Sequence, residues 1–250
     1  MQISSNRLTP LRPVLFIALF AVGCAHSEQP VTEQAPQHNA LTDAEKAEGF
    51  VLLFDGITTA GWRGYQMTTV PPDWTVVEGA LRGSGEGPDL VTDTTHASFD
   101  LRFEFNLAPG GNSGVMYRVV ETEHRSYESG PEYQILDEST HKDIHVNQTT
   151  AANYGLDAPA VKPRPPGTWN QGRILVRGSQ VEHWLNGALA VRHELGSEDW
   201  KRKVSESKFA QWPAFGVQPT GHLCLQAHGS PVLFRNLKLR TLETVTAPSN

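Results

Sequence analysis

The sequence predicts an all-β fold, a two-sheet antiparallel jelly-roll sandwich, on three observations. From Phe50 to Arg240 the chain is a succession of short segments in which apolar and polar residues alternate, punctuated by Gly and Pro. Asn186-Gly187 stands between two such segments, the strongest short-range signal of a hairpin. No stretch of that region holds a long helical period, and strands without crossover helices pair antiparallel in packed layers. About 200 residues is an ordinary length for one sandwich, so a single domain is expected over 48–242, followed by a short tail at 243–250.

What precedes the domain is of another kind. Arg7 and Arg12 lead into an apolar run, Val14 to Gly23, too short to cross a bilayer as a helix. This is the pattern of a secretory signal over residues 1–24. The run ends in AVGC, which resembles a bacterial lipobox with Cys24 as the lipidated residue, although Ala21 stands where Leu is commoner. An ordinary signal peptide cleaved nearby is the alternative. A lipid on Cys24 would anchor the protein to a membrane surface without a span. Ala25, His26 and Ser27 lack the Asp that argues for inner-membrane retention, so the outer membrane is expected, on its periplasmic or outer face. Residues 25–47 are rich in Gln, Glu, Pro, Ser and Thr and read as a flexible tether. Its last part, with Thr42 and Glu45 three apart, has the form of a capping box on a short helix.

Within the domain each strand is read from its period of two. Trp74–Gly83 is a hairpin about Glu78-Gly79. Ser98–Leu107 places Phe99, Leu101, Phe103, Phe105 and Leu107 on one face. Gly114–Val120 and EYQILD follow; then Arg173–Glu194 gives three strands, turning at Gly178-Ser179 and Asn186-Gly187. GHLCLQAHG and VLFRNLKLR close the domain. Two segments interrupt the pattern. Ser139–Thr168 is polar and too long for a passive connection, and such loops usually carry function. Ser197–Phe209 reads as a surface helix capped by Ser197. Cys224 is the only cysteine besides Cys24, so no disulfide closes within the domain and Cys224 is expected as a small buried hydrophobe. The formal net charge of −6 and the lack of any Lys/Arg run leave nucleic-acid binding without support.

The polar faces of three strands are candidates for chemistry. In EYQILD, Tyr133, Ile135 and Asp137 share one face, and Glu132 and Gln134 the other. In GHLCLQAHG, His222, Cys224, Gln226 and His228 lie opposite Leu223, Leu225 and Ala227. Histidines and a glutamine on one face suit metal ligation, acid–base work or sugar hydrogen bonds, against a merely solvated face. Arg118 falls opposite Val115 and Tyr117 by parity and could hold an anionic or hydroxyl-rich group. His183 is open between a core histidine and a functional one. His141 and His145, four apart around Asp143, could hold a divalent ion if that stretch were helical. Six tryptophans, Trp169 among them, offer stacking surfaces for sugars, though most tryptophans serve packing.

Taken together, GFVLLFDGITTAGWR, PGGNSGVMYR, EYQILDE, PPGTWNQGRILVRGSQVEHWLNG and LQAHGSPVLFRNLKLR resemble the 3-keto-disaccharide (3-keto-glycoside) hydrolase domain family from Gly49 to about Arg240. The resemblance implies a concanavalin A-like lectin/glucanase sandwich that acts on an oxidised disaccharide or glycoside. It falls on Asn112, Arg118, Glu132, Gln134, Asp137, His141, Tyr154, Trp169, His183, Asn186, Gln226 and His228. TTAANYGLDAP departs from the more apolar stretch of relatives before the tyrosine, so loop contacts to substrate differ. The implied chemistry is removal of the C2 proton beside a C3 ketone, elimination of the C1 substituent and addition of water. Glu132, His141 and His228 are then the acid–base candidates, and Asn112, Arg118, Gln134, Asp137, Tyr154, Trp169, His183 and Gln226 hold substrate. No cofactor is assigned, and a divalent metal is left open. Two other readings compete. A retaining glycosidase would need Glu132 and Asp137 about 5–5.5 Å apart. A non-catalytic carbohydrate-binding lipoprotein would use the same polar face only to bind.

Overall fold

In the computed structural model the described residues are Gln2, 38–141 and 143–243. Cys24, the apolar run before it and the tail from 244 lie outside the described residues. The strands are β1 (Val51–Leu52), β2 (Trp62–Gly64), β3 (Trp74–Val77), β4 (Ala80–Gly83), β5 (Leu90–His96), β6 (Phe99–Leu107), β7 (Asn112–Val119), β8 (Glu132–Leu136), β9 (Asn170–Arg177), β10 (Gln180–Leu185), β11 (Ala188–Glu194), β12 (Gly221–Leu225) and β13 (Val232–Thr241). They form two antiparallel sheets. One runs β11-β10-β9-β6-β13-β4-β3, with β1 also on β13; the other runs β2-β5-β12-β7-β8. This is the sandwich that the alternation predicts.

The core lies between the sheets because period two sends every second side chain inward. Phe99, Leu101, Phe103, Phe105 and Leu107 of β6 face Val115 and Tyr117 of β7, Tyr133 and Ile135 of β8, and Leu223 and Leu225 of β12, all buried. Each such side chain contributes roughly 1.5–3 kcal/mol on burial. Asn186 (φ 49°) and Gly187 (φ 83°) both take left-handed backbone in the β10–β11 turn, as a tight primed turn requires.

Two helices flank the sandwich, α1 (Asp43–Ala47) and α2 (Glu198–Ser205). In α1 the Thr42 hydroxyl accepts from the Glu45 amide while the Glu45 carboxylate accepts from the Thr42 amide. Glu45 also accepts from the Lys238 ammonium of β13, and the Asn39 side chain bridges Gly79 and Asn236. The stretch 39–47, read above as the end of the tether, is thus tied to the larger sheet. Ser197 caps α2 by accepting from the Trp200 amide.

Two irregularities place side chains where parity does not. Between β7 and β12, Met116 pairs with Cys224 and Val119 with His222, so Tyr117 and Arg118 together oppose Leu223. Arg118 occupies this bulge with φ 55°. The second is the long segment 139–168, which turns back along the free edge of β8. The Ala151 amide donates to Gln134 O and the Gln134 amide to Ala152 O, and the Tyr154 amide donates to Glu132 O. A sheet edge that would otherwise present unpaired backbone is thereby covered.

Candidate active site

On the outer face of the smaller sheet, β7, β8 and β12 supply the residues that the core rejects. Glu132 and Gln134 of β8 point away from Tyr133 and Ile135; Asn112 of β7 lies beside them, and Gln226 and His228 follow β12. These floor a cavity of about 260 Å3. Three segments wall it. Tyr154 comes from the returning loop, Tyr127 from a single helical turn at Ser126–Glu128, and Lys208 and Trp212 from the chain after α2. The Lys208 ammonium stands 4.5 Å from the Tyr154 ring centre and 5.9 Å from that of Tyr127. Trp212 meets Tyr127 edge-on at 5.5 Å. Phe209, buried and stacked on Phe215 at 4.0 Å, fixes the segment that carries both Lys208 and Trp212.

Glu132 is 7% exposed, and its Oε1 has no hydrogen-bond partner. Gln134 Oε1 is equally unpartnered, while Gln134 Nε2 donates to Asn112 Oδ1 at 3.1 Å. Buried polar atoms are almost always satisfied, so two orphan acceptors converging on one cavity mark a place where a ligand supplies the donors. Burial pushes the Glu132 carboxyl up to about 8; the Lys208 ammonium pulls the other way, and the Asp89 carboxyl adds to the rise. Gly114 is what lets Glu132 lie flat on the sheet, because a Cβ there would overlap the Glu132 carboxyl. Asp89 itself is held by the Ala227 amide (2.9 Å) and by the Ser126 hydroxyl, and does not line the cavity.

Six sequence candidates therefore meet: Asn112, Glu132, Gln134, Tyr154, Gln226 and His228. The others lie elsewhere. Asp137 follows β8 and accepts from the Gly110 amide (2.7 Å) and the Ser139 amide (3.0 Å), serving a turn. The paired-carboxylate geometry of a retaining glycosidase is thus not formed with Glu132. His141 is exposed, with Nδ1 3.0 Å from Asp137 O, and does not line the cavity. His141 and His145 are not on a helix, so their spacing does not bring them to one face. Among the described residues no three His, Cys, Asp or Glu side chains gather as a metal site. Trp169 lies under the Arg235 guanidinium at 3.8 Å, on the larger sheet. Asn186 serves its turn, its side chain accepting from the Gln171 amide and donating to Asn170 Oδ1. His183 is fully buried, with Nε2 3.3 Å from Tyr117 Oη and Nδ1 3.2 Å from Ala151 O, a core histidine. Arg118, turned by its bulge, donates to the backbone carbonyls of Ala97 and Gly178 instead of reaching Glu132. His222, expected on the face of Gln226, has Nδ1 2.7 Å from Thr92 O and lies outside the cavity. Tyr127 and Lys208 have no sequence signal, since they arrive from segments remote in the chain; Trp212 is one of six tryptophans with nothing to single it out.

Comparison with known proteins bears on this site. Residues 49–240 match the 3-keto-alpha-glucoside-1,2-lyase-like domain. The chain is 32% identical to a 3-keto-disaccharide hydrolase of Bacteroides thetaiotaomicron, over 88% of this chain and 91% of that one. It is similar to a crystal structure from Parabacteroides distasonis, provisionally assigned as a glycosyl hydrolase, with 36% identity and a TM-score of 0.78 over 83% of this chain and all of that one. A second structure from the same organism, 20% identical with a TM-score of 0.59, covers 90% of this chain and all of that one and shares the fold.

Proposed function

This chain belongs to the 3-keto-alpha-glucoside-1,2-lyase-like domain family, and from that membership we propose that it hydrolyses 3-keto-disaccharides and related 3-keto-glycosides, with Glu132 as the base. The observation that carries this reading is the Glu132 carboxyl itself: buried, unpartnered at Oε1, raised to about 8, and set in an aromatic-walled cavity beneath a lysine. A C3 ketone acidifies the hydrogen on C2. The Glu132 carboxylate takes that proton, and the C2–H electrons form an enolate whose charge rests on O3. Lys208 and the amides of Asn112, Gln134 and Gln226 are the donors suited to that oxygen. When the enolate collapses, the C3 carbonyl re-forms, a C1–C2 double bond forms, and the C1–O bond breaks. His228, on the exposed rim, protonates the departing oxygen. Water then adds with its oxygen to C1 and gives its proton to His228, and Glu132 returns the first proton to C2, which leaves the free 3-keto sugar. Tyr127, Tyr154 and Trp212 supply the flat apolar faces on which sugar rings stack.

A base of this kind is matched to its task because a carboxyl raised by burial is a stronger base than one in water. Matched native and 3-oxidised disaccharides test the reading. Only the oxidised sugar should be cleaved, and Glu132→Gln should lower kcat/KM by about 10^2–10^4-fold. The wild-type rate should rise with pH toward about 8. Cleavage of the native sugar at a similar rate, or full turnover by Glu132→Gln, would overturn it. Export and a lipid anchor on Cys24 belong to the same proposal, supported by the signal pattern and the AVGC run. Cys24→Ser should move the protein from the membrane pellet to the soluble fraction of cells; unchanged pelleting would count against the anchor.

A further inference from the structure

Behind the wall of the sugar cavity lies a larger one, of about 890 Å3. It opens between the end of the sandwich and the segment 195–220, and Phe209 and Trp212 line both cavities. Leu195, Trp200, Val204, Pro213 and Phe215 make most of its surface apolar. Besides Lys201, which is exposed and paired with Glu198, one charge lines it: Arg118, 6% exposed.

That charge is not compensated. The Nη2 group donates to Gly178 O and Ala97 O, Nε is buried without a partner, and Nη1 donates to no group among the described residues. No carboxylate stands within 4.0 Å of the guanidinium among the described residues, although Asp and Glu outnumber Lys and Arg in the chain, 27 to 21. Buried cations are normally paired, since removing a guanidinium from water costs more than two carbonyl contacts return. The backbone around it is also costly: a non-glycine residue at φ 55° inside a strand persists only where the surroundings impose it. The bulge that produces this conformation is what turns the guanidinium away from the sheet face and into the cavity.

We propose that this cavity is a second ligand site, separate from the Glu132 pocket, that takes an amphiphilic organic anion: a carboxylate held by Arg118 with an aromatic or branched apolar body among Trp200, Val204 and Phe215. The planar guanidinium presents its free N–H groups to a carboxylate in a way that water or a neutral group cannot match. The aromatic walls exclude small inorganic anions as good ligands, because these would leave the apolar surface wet. The site does not depend on the reading of Glu132, since the only residues common to the two cavities are Phe209 and Trp212.

Calorimetric titration of the purified full chain with 2-naphthoate and with its neutral counterpart 2-naphthamide tests the proposal. The carboxylate should bind one to one and at least tenfold more tightly than the amide. Arg118→Met should abolish that preference, and Val204→Trp, which fills the cavity while sparing Arg118, should remove binding of both probes. Glu132→Gln should bind the carboxylate as the wild type does. Should Arg118→Met fail to fold, the two probes on the wild-type chain still decide. Equal affinity for both, no binding of the carboxylate, an unchanged preference in Arg118→Met, or a tighter carboxylate in Glu132→Gln (which would place the probe in the sugar cavity) overturns the assignment.

Discussion

Gly114 and Glu132 act as one unit across two strands. The carboxyl lies where a Cβ on residue 114 would stand, so the missing side chain and the buried acid depend on each other. The conflict in Gly114→Ala involves the end of a flexible side chain, and Gly114 is not in left-handed backbone, so the fold should tolerate the change. The expected outcome is at least a tenfold loss of kcat/KM with a thermal midpoint within a few degrees of wild type. A midpoint that falls sharply while the remaining folded enzyme keeps full activity would contradict the pairing. Glu132 also carries a stability cost. Its folded pKa is raised from 4.5 to about 8 by burial, so between those values the native state keeps a proton that the unfolded chain releases. Stability is therefore fully present below 4.5 and lost as pH climbs toward 8, at roughly 1.4 kcal/mol per pH unit at most. Glu132→Gln removes the ionisation. In urea titrations it should match the wild type near pH 4.5 and exceed it at pH 8.5.

At the scale of elements, β8 is an edge strand that the chain itself covers. Thr150 helps to pin the cover: its buried hydroxyl accepts from the Leu136 amide and donates to Leu136 O, both at 2.9 Å. Thr150→Val keeps the shape and orphans two backbone groups, at a cost of about 1–3 kcal/mol each where water cannot reach them. Because Tyr154 hangs from the same loop, KM for the sugar should rise as stability falls; a stable variant with unchanged KM would show that the loop is held elsewhere. The strands themselves were legible, since alternation survives wherever one face is apolar, as in β6 and β12. Arg118 was not legible as placed, because a bulge of one residue inverts every parity after it and leaves no mark in composition. Val119 shows the same inversion by packing with Met116 and Cys224 on the outer face. Glu132, Gln134 and Gln226 could be read from single strands, whereas Tyr127 and Lys208 reach the cavity from segments separated by about eighty residues of chain. Two-residue periodicity carries no information at that range.

At the scale of the whole molecule, the sandwich buries titratable groups of opposite sense, and their balance sets its response to pH. His183 sits between the sheets, with Tyr117 Oη standing 3.3 Å from its Nε2 and 3.2 Å from Nε2 of the half-buried His193. Burial first, and then the neighbouring His193, hold His183 down at about 3 from an ordinary 6.5. Burial likewise lowers His193 to about 3, helped by Lys203. Between 3 and 6.5 the unfolded chain takes up protons that the native pair refuses, so their contribution is intact above 6.5 and lost as pH falls. Glu132 works in the other direction from 4.5 to about 8, and Asp89, raised mainly by burial, has the same sense as Glu132. From 6.5 to 8 only the acids act and stability declines with rising pH. Below 4.5 stability declines with falling pH, through the histidines and through carboxylates that hydrogen bonds and ion pairs hold low, Glu45, Glu121 and Asp137 among them. In between, the two effects oppose. The conformational stability of the chain should accordingly be greatest between pH 4.5 and 6.5, with limbs that separate by residue. Glu132→Gln should flatten the alkaline limb alone, and His183→Gln, which keeps hydrogen-bonding groups beside Tyr117 and Ala151 without a titrating ring, should shallow the acid limb by up to about 1.4 kcal/mol per pH unit. Urea midpoints at half-unit steps from pH 4 to 9 read both slopes. An acid limb unchanged by His183→Gln would mean that the fold's acid sensitivity resides in its surface carboxylates and not in the histidine pair of the core.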